Sequence, residues 1–306
     1  MTTNPSAAKL LKISASQLAI AALAGCTTGS GPGALSSDIL AKHNAHQMKA
    51  LSAGEKLLAM KRMSVAAHIK QDRKVAAMPE FSIKKNDKGG HDISVGGETE
   101  SFTKANLQGD QDGDYGYQKG NRGVYNASNY LGDMDKRAAN LWSYYWDTDA
   151  GQTLNGYAVT GVETELLAVS ARTAKATYAG FANADVYLKT DGDEARVSLY
   201  GNMTLNADFD SSKVSGKIDD INGVVRDSHG NKLQGFSSDG QVNLVKTDII
   251  GNGYSGDLTG EVTHFGEVDG SYTGKFYGAN AEETAGTLLV DDEERIAVGG
   301  FHAWED

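Results

Sequence analysis

From Leu154 to the C-terminus, hydrophobic and polar residues trade places at nearly every step. In MTLNADF, Met203, Leu205, Ala207 and Phe209 fall on one face and Thr204, Asn206 and Asp208 on the other. That is the period of two expected of a strand with one buried face. After the corner Asp210-Ser211-Ser212 comes KVSGKI, where Val214, Gly216 and Ile218 point in and Lys213, Ser215 and Lys217 point out. Alternation carried across a short turn marks a hairpin. The same pattern recurs in RTAKATYAGFANADVYL, QVNLVKTDI, GYSGDLTGEVTHF, GSYTGKFYG, TAGTLLV and RIAVGGFHAW, giving about eight strands with no proline after Pro79. This spacing predicts an antiparallel barrel or sandwich, and glycine on inward faces favours a tightly curved barrel. In GSYTGKFYG, Tyr272, Gly274, Phe276 and Gly278 share a face, and Gly286 and Leu288 resume the interior beyond the corner ANAEET. Faces that alternate in this way need no partner, so residues 151–306 are expected to fold alone.

The first half of the chain follows different rules. Residues 36–79 predict a helical segment: Ser37 or Asp38 can cap its start, and Ile39, Leu40, His43, Met48 and Leu51 recur at three- and four-residue steps. Residues 80–150 predict a small mixed region of short strands joined by NDKGG and VGGE turns. Its aromatic cluster NLWSYYWD holds Trp142, Tyr144, Tyr145 and Trp146, which as neighbours are not expected to share one face. Some should pack, leaving one or two exposed for binding. The fold class is therefore mainly β, an eight-stranded antiparallel barrel preceded by a helical segment and a small strand-containing region.

Composition sharpens this picture. Among 306 residues there are 37 Gly, 3 Pro and a single Cys, so no internal disulfide frames the fold. Net charge is −11, unevenly spread: residues 1–150 carry 18 Lys and Arg against 15 Asp and Glu, residues 151–306 carry 11 against 25. An acidic barrel repels phosphate backbones, which argues against nucleic acid as a partner. No apolar run approaches the roughly 18–20 residues of a membrane-spanning helix. At the N-terminus, Lys9 and Lys12 precede the modest apolar run ISASQLAIAALAGC. Residues 1–26 thus predict a signal peptide ending in Leu23-Ala24-Gly25-Cys26, similar to the lipobox at which bacterial lipoproteins are cleaved and acylated on cysteine. Residues 27–35 predict a tether, and acyl chains on Cys26 would anchor the chain to a membrane without a spanning helix.

Candidate chemistry is sparse. His43 and His46 lie three apart but lack a third ligand, which favours a solvated face. Asp110, Asp112 and Asp114 alternate like the start of a calcium loop, yet Tyr115 and Asn121 stand where Gly and Glu are required. His229, in the turn RDSHGNKLQG, and His264, near the end of GEVTHF, read first as exposed polar loop residues; either could ligate haem iron if a loop pocket forms. His302 sits in the last strand and is expected to pack or to hydrogen-bond locally. No nucleophile elbow, phosphate loop or paired-carboxylate arrangement stands out, so the chain is not read as an enzyme.

The corner GKFYGANAEETAGTL, with GYAVTGVET…ARTAKATYAGFA and GNMTLNADFDSSKVSGKI upstream, resembles the transferrin-binding-protein-like β-barrel family. Ala279 replaces the family's Pro, Ala285 replaces a Gly, and ELLAVS stands where the family has a different linker. The resemblance spans residues 151–306. It implies an eight-stranded barrel with a handle, an address at the outer membrane or cell surface or secretion, and non-covalent binding in iron or haem acquisition. Ligand-binding candidates are then His229, His264, Trp142, Tyr144, Tyr145 and Trp146, with haem, an iron-carrying protein or another host protein as partner. A host-factor adhesion module and a structural envelope lipoprotein remain the alternatives. If the lipobox is used, wild type expressed in a bacterium with lipoprotein machinery will incorporate labelled palmitate and Cys26→Ser will not; unlabelled wild type would refute the anchor.

Overall fold

The computed structural model describes residues 63–68, 74–75, 79–109, 115–128, 137–189, 196–226, 232–263 and 265–306. All of them belong to one compact unit, Leu35–Asp306. Among the described residues the architecture is three β layers: a small sheet, a larger sheet, and a closed barrel.

The small sheet pairs β3 (Phe81–Lys85), β4 (His91–Val95) and β5 (Glu98–Phe102). β4 and β5 are joined by Gly96 and Gly97, both at positive φ (60° and 90°), the conformation a two-residue hairpin loop requires. The larger, handle sheet runs in the order β2 (Lys74–Val75), β1 (Ser64–His68), β10 (Thr153–Gly161), β9 (Ala139–Asp147), β8 (Arg122–Asn126), β7 (Tyr115–Lys119), β6 (Leu107–Gly109). Phe81, Ile83, Ile93, Val95 and Phe102 of the small sheet pack on Trp142, Tyr144, Trp146 and Val124 of the large one. The Phe81 and Tyr144 rings stack at 5.5 Å.

The barrel closes through β11 (Lys175–Leu188), β12 (Arg196–Asp208), β13 (Lys213–Arg226), β15 (Gln241–Ile250), β16 (Gly253–Val262), β17 (Gly266–Tyr277), β18 (Glu283–Asp291) and β19 (Arg295–Glu305), with β11 pairing back onto β19. A further strand, β14 (Lys232–Ser238), pairs with the second half of β13. The 203–218 hairpin forms, with Asp208 opposite Lys213, so the connection takes in Phe209 as well as the corner Asp210-Ser211-Ser212. Its inward apolar residues, Met203, Leu205, Ala207, Phe209, Val214 and Ile218, are all buried. Phe276 is fully buried, with its ring 5.1 Å from Phe209, 5.4 Å from Tyr254 and 5.8 Å from Tyr178. Glycine opposes aromatic inside: a Cβ on Gly274 would lie 2.4 Å from the Tyr254 ring, and one on Gly286 2.4 Å from Phe301. The short helix α1 (Leu166–Ala171) lies before β11 and inserts Val169 into this core. The ANAEET corner turns through Ala281 at φ 60°. It is tied down by Thr164, which donates its hydroxyl to Gly278 O at 2.9 Å, and by Tyr178, which donates to Ala281 O at 2.7 Å.

Three expectations need correction. The helical reading of 36–79 lies largely outside the described residues, but Ser64–His68 within it is a strand paired with β10, because its alternate residues serve two cores. The boundary at 150/151 is misplaced: β10 pairs with β9 in the handle sheet, so the barrel begins near Lys175. Nor does the barrel wall stand alone. Tyr187, Tyr277, Ala285, Ile296 and Val298 on its outer side pack against Val65, Leu141, Tyr157 and Val159 of the handle sheet.

Two stability outcomes follow. Phe276→Ala should cost about 3–5 kcal/mol in denaturant unfolding, the range for emptying a buried aromatic site; a loss under about 1 kcal/mol would contradict its burial. A fragment of residues 163–306, stripped of the handle, should melt below the full chain and bind a hydrophobic dye that the full chain excludes.

Candidate functional site

The handle meets the barrel through two polar clusters set into an apolar seam. In the first, His302 of β19 is fully buried, its Nδ1 3.0 Å from Ser128 Oγ and its Nε2 2.9 Å from Glu283 Oε2. Glu283 also accepts the backbone N–H groups of Ala138 (3.1 Å) and Ala139 (3.0 Å) from the handle. Burial alone would raise this carboxyl; the His302 contact and the two N–H donors outweigh it and hold Glu283 below the ordinary carboxylate range.

The second cluster centres on Asp185 of β11, also buried. It accepts from Asn155 Nδ2 (2.9 Å), Ser198 Oγ (2.7 Å) and Tyr157 OH (3.4 Å), with Arg196 Nε at 3.5 Å. Asn155 donates to Tyr187 OH as well. Burial, then the Asp185 charge, push the Tyr157 and Tyr187 phenols well above their usual values, so both stay protonated. A buried carboxylate with this many partners is compensated and fixes one orientation of handle on barrel.

Beside the second cluster the two walls separate and enclose a cleft of about 1030 Å³. Tyr125, Asn126, Ser143 and Tyr157 face it from the handle. Phe181, Asn183, Ser198, Tyr200, Asn202 and Asp220 face it from the barrel. A different space, of about 90 Å³, lies inside the barrel at the end away from α1. There Ala182, Ala184, Gly201, Ala297 and Gly299 replace the aromatic rings that fill the other end. It is almost wholly apolar and smaller than the ~150 Å³ cavity known to admit benzene.

The residues singled out from sequence are not brought together. Trp142, Tyr144 and Trp146 occupy alternate positions of β9 and therefore do share a face; all three are buried beneath the small sheet, and none is available to a ligand. Tyr145 turns to the opposite face and is half-buried. Cys26, His229 and His264 lie outside the described residues, as do His43, His46, Asp110, Asp112 and Asp114. Among the described residues no cluster of three or more His, Cys, Asp or Glu side chains could hold a metal ion. The cleft residues Tyr125, Asn183, Tyr200 and Asp220 were missed. A signal for them exists in KIDDINGVV, where the inward apolar step lengthens from two residues to three between Ile218 and Ile221.

With this geometry in hand, the chain was compared with known proteins. Residues 170–304 match the family model for the C-lobe and N-lobe beta barrels of Tf-binding protein B. No curated protein matches the sequence. Among solved structures, a transferrin binding protein B variant from Haemophilus parasuis Hp5 is 12% identical, with 80% of this chain and 44% of that chain covered and a TM-score of 0.49. Transferrin binding protein B from serogroup B Neisseria meningitidis is 15% identical, covering 81% and 44%, at 0.46. HpuA from Kingella denitrificans, solved with human haemoglobin, is 13% identical, covering 81% and 88%, at 0.41. The chain thus spans less than half the length of the two transferrin binding protein B structures.

The Glu283 site gives a pH signature. Because the folded carboxyl is depressed, its stabilisation is present above the unfolded value and lost as pH falls through the folded one. Glu283→Gln should melt well below wild type at pH 7, and the gap should close below about pH 4. Parallel melting curves at both pH values would show that the carboxylate contributes nothing to docking.

Proposed function

Proceeding from a barrel of the transferrin-binding-protein-like family, which residues 170–304 form, we propose that this protein captures an iron-carrying host protein non-covalently and without catalysis. The observation that carries the reading is the family match itself, whose model describes barrels of a transferrin-binding protein. Acylation of Cys26 would hold the protein at the outer surface of a bacterial envelope, where a soluble carrier is within reach. The acidic balance of residues 151–306, 11 Lys and Arg against 25 Asp and Glu, suits a partner that presents a basic surface and would speed its encounter. Haem bound directly is the weaker form of this reading. Three of the four aromatic residues expected to stack on it, Trp142, Tyr144 and Trp146, are core residues of the handle, and stacking on a macrocycle needs an exposed ring face.

Surface plasmon resonance on the immobilised full chain tests this. Iron-loaded transferrin or haemoglobin should bind saturably, with affinity falling as salt rises from about 50 to about 500 mM. Binding of neither, with capture of an iron-free host-surface protein instead, would move the reading to adhesion. A Soret shift saturating at one equivalent of haem and lost in the His229→Ala/His264→Ala double variant would replace the carrier by haem.

A further inference from the structure

The cleft between handle and barrel is lined by an unusual mixture. Two of its aromatic rings, Tyr125 and Tyr200, are exposed, and amide and carboxylate groups are set around them. On the handle wall, Tyr125 lies across two glycines, Gly116 on the neighbouring strand and Gly123 on its own. A Cβ on Gly116 would come within 2.3 Å of the ring, and one on Gly123 within 3.1 Å. The Tyr125 hydroxyl donates to Gln118 Oε1 at 3.1 Å, and the ring remains 37% exposed. One face rests on the sheet and the other is offered to the cleft.

On the barrel wall, Tyr200 is 49% exposed and sits in register between Asn183 of β11 and Asn222 of β13. Among the described residues neither the Asn183 amide nor the Tyr200 hydroxyl has a hydrogen-bond partner. Asn202 donates to Asp220 Oδ2 at 3.2 Å, which leaves its own carbonyl and the second Asp220 oxygen open.

The backbone here is specially shaped. Tyr200 pairs with Asn222 and Asn202 with Asp219, so Asp220 and Ile221 together oppose the single residue Gly201. This bulge places Asp220 at φ 50° and reverses the inside–outside alternation of β13. Ile221 then enters the core, and Asp220, which strict alternation would have put inside, faces the cleft. Bulges serve to re-aim a side chain, and non-glycine residues in the left-handed region gather at ligand sites. Gly201 is the residue that permits it, since a Cβ there would meet Asp219 O and Ile218 Cγ2 at 2.9 Å.

We infer that this cleft is a carbohydrate site that takes a pyranose unit of a glycan between Tyr125 and Tyr200. A pyranose has an apolar C–H face and a rim of hydroxyls that each donate and accept. The rings supply a flat, electron-rich surface for the first, and Asn183, Asn202, Asp220 and the Tyr200 hydroxyl supply both polarities for the second. Competing ligand classes fit less well. A flat macrocycle or an acyl chain calls for a continuous apolar wall, and an added peptide strand calls for an open sheet edge, whereas the cleft is walled by strand faces.

The test is titration of the full chain with four sugars: N-acetylglucosamine, lactose, methyl α-mannoside and 3′-sialyllactose. Binding is followed by calorimetry and by tryptophan emission; of the three tryptophans only Trp304 borders the cleft. At least one sugar should saturate at one equivalent and shift the emission. Tyr200→Ala and Asn183→Ala should each weaken it about tenfold or more, about 1.4 kcal/mol, with unchanged thermal midpoints because both side chains lie outside the core. Tyr200→Phe should retain most of the affinity by keeping the ring. No heat and no emission change with any of the four up to about 50 mM, or binding unaltered by both alanine variants, would overturn the assignment. The result does not depend on which protein the barrel captures.

Discussion

One wall of this molecule has no solvent side, and the rest of the structure is arranged around it. β18 and β19 are buried on both faces along most of their length, as is β10 in the sheet that covers them. Phe301 and Leu288 point into the barrel; Ala285, Ile296 and Val298 point out, onto Leu141 and Val159. A strand of this kind is stable only when both neighbours are in place, so barrel and handle share a core. Burying each such side chain contributes roughly 1.5–3 kcal/mol, and this seam buries them from both partners at once.

An apolar seam fixes distance but hardly fixes angle, because packing of small aliphatic groups has little direction. The directional element is the pair of buried polar clusters. Glu283 and His302 belong to the barrel, yet their partners Ser128, Ala138 and Ala139 come from the handle. Asp185 is likewise satisfied in part by Asn155 and Tyr157 of the handle. Sliding one sheet over the other would strand a carboxylate in the seam, at the cost of an unpaired buried charge. The cleft inherits its shape from this constraint, since Tyr157 and Ser198 belong to the Asp185 cluster and also form part of its walls.

The barrel interior shows a division of labour of a different kind. Near α1 it is filled by Tyr178, Phe209, Tyr254 and Phe276, against which Gly274 yields space. At the other end alanine and glycine leave a small apolar hollow. Aromatic packing is thereby concentrated where the ANAEET corner, α1 and the segment leaving the handle converge. The corner is conspicuous in the sequence because it is tied to Thr164 and Tyr178, and its role is to join the two bodies.

Alternation by itself determined the strands of the barrel and their inward faces. Met203 to Phe209 and Val214 to Ile218 could face inward in only one way, and period two leaves no other element to consider. The glycine pair at Gly96 and Gly97 likewise fixed a turn, because two successive positive φ values suit few other residues. The family likeness was legible for the same reason, since its corner is local. What alternation could not determine was which outer faces are covered. TAGTLLV and RIAVGGFHAW were read as one-sided strands like the rest, because the sheet that covers their outer faces comes from residues more than 100 positions away. Trp142, Tyr144 and Trp146 were misjudged because clustering along the chain was mistaken for crowding in space; on a strand, every second residue shares a face. Of the cleft, only the lengthened inward step between Ile218 and Ile221 is legible in the sequence. Tyr125 and Tyr200 line one cleft only because two sheets dock at an angle set by buried charge, and no pattern within a single strand encodes that angle.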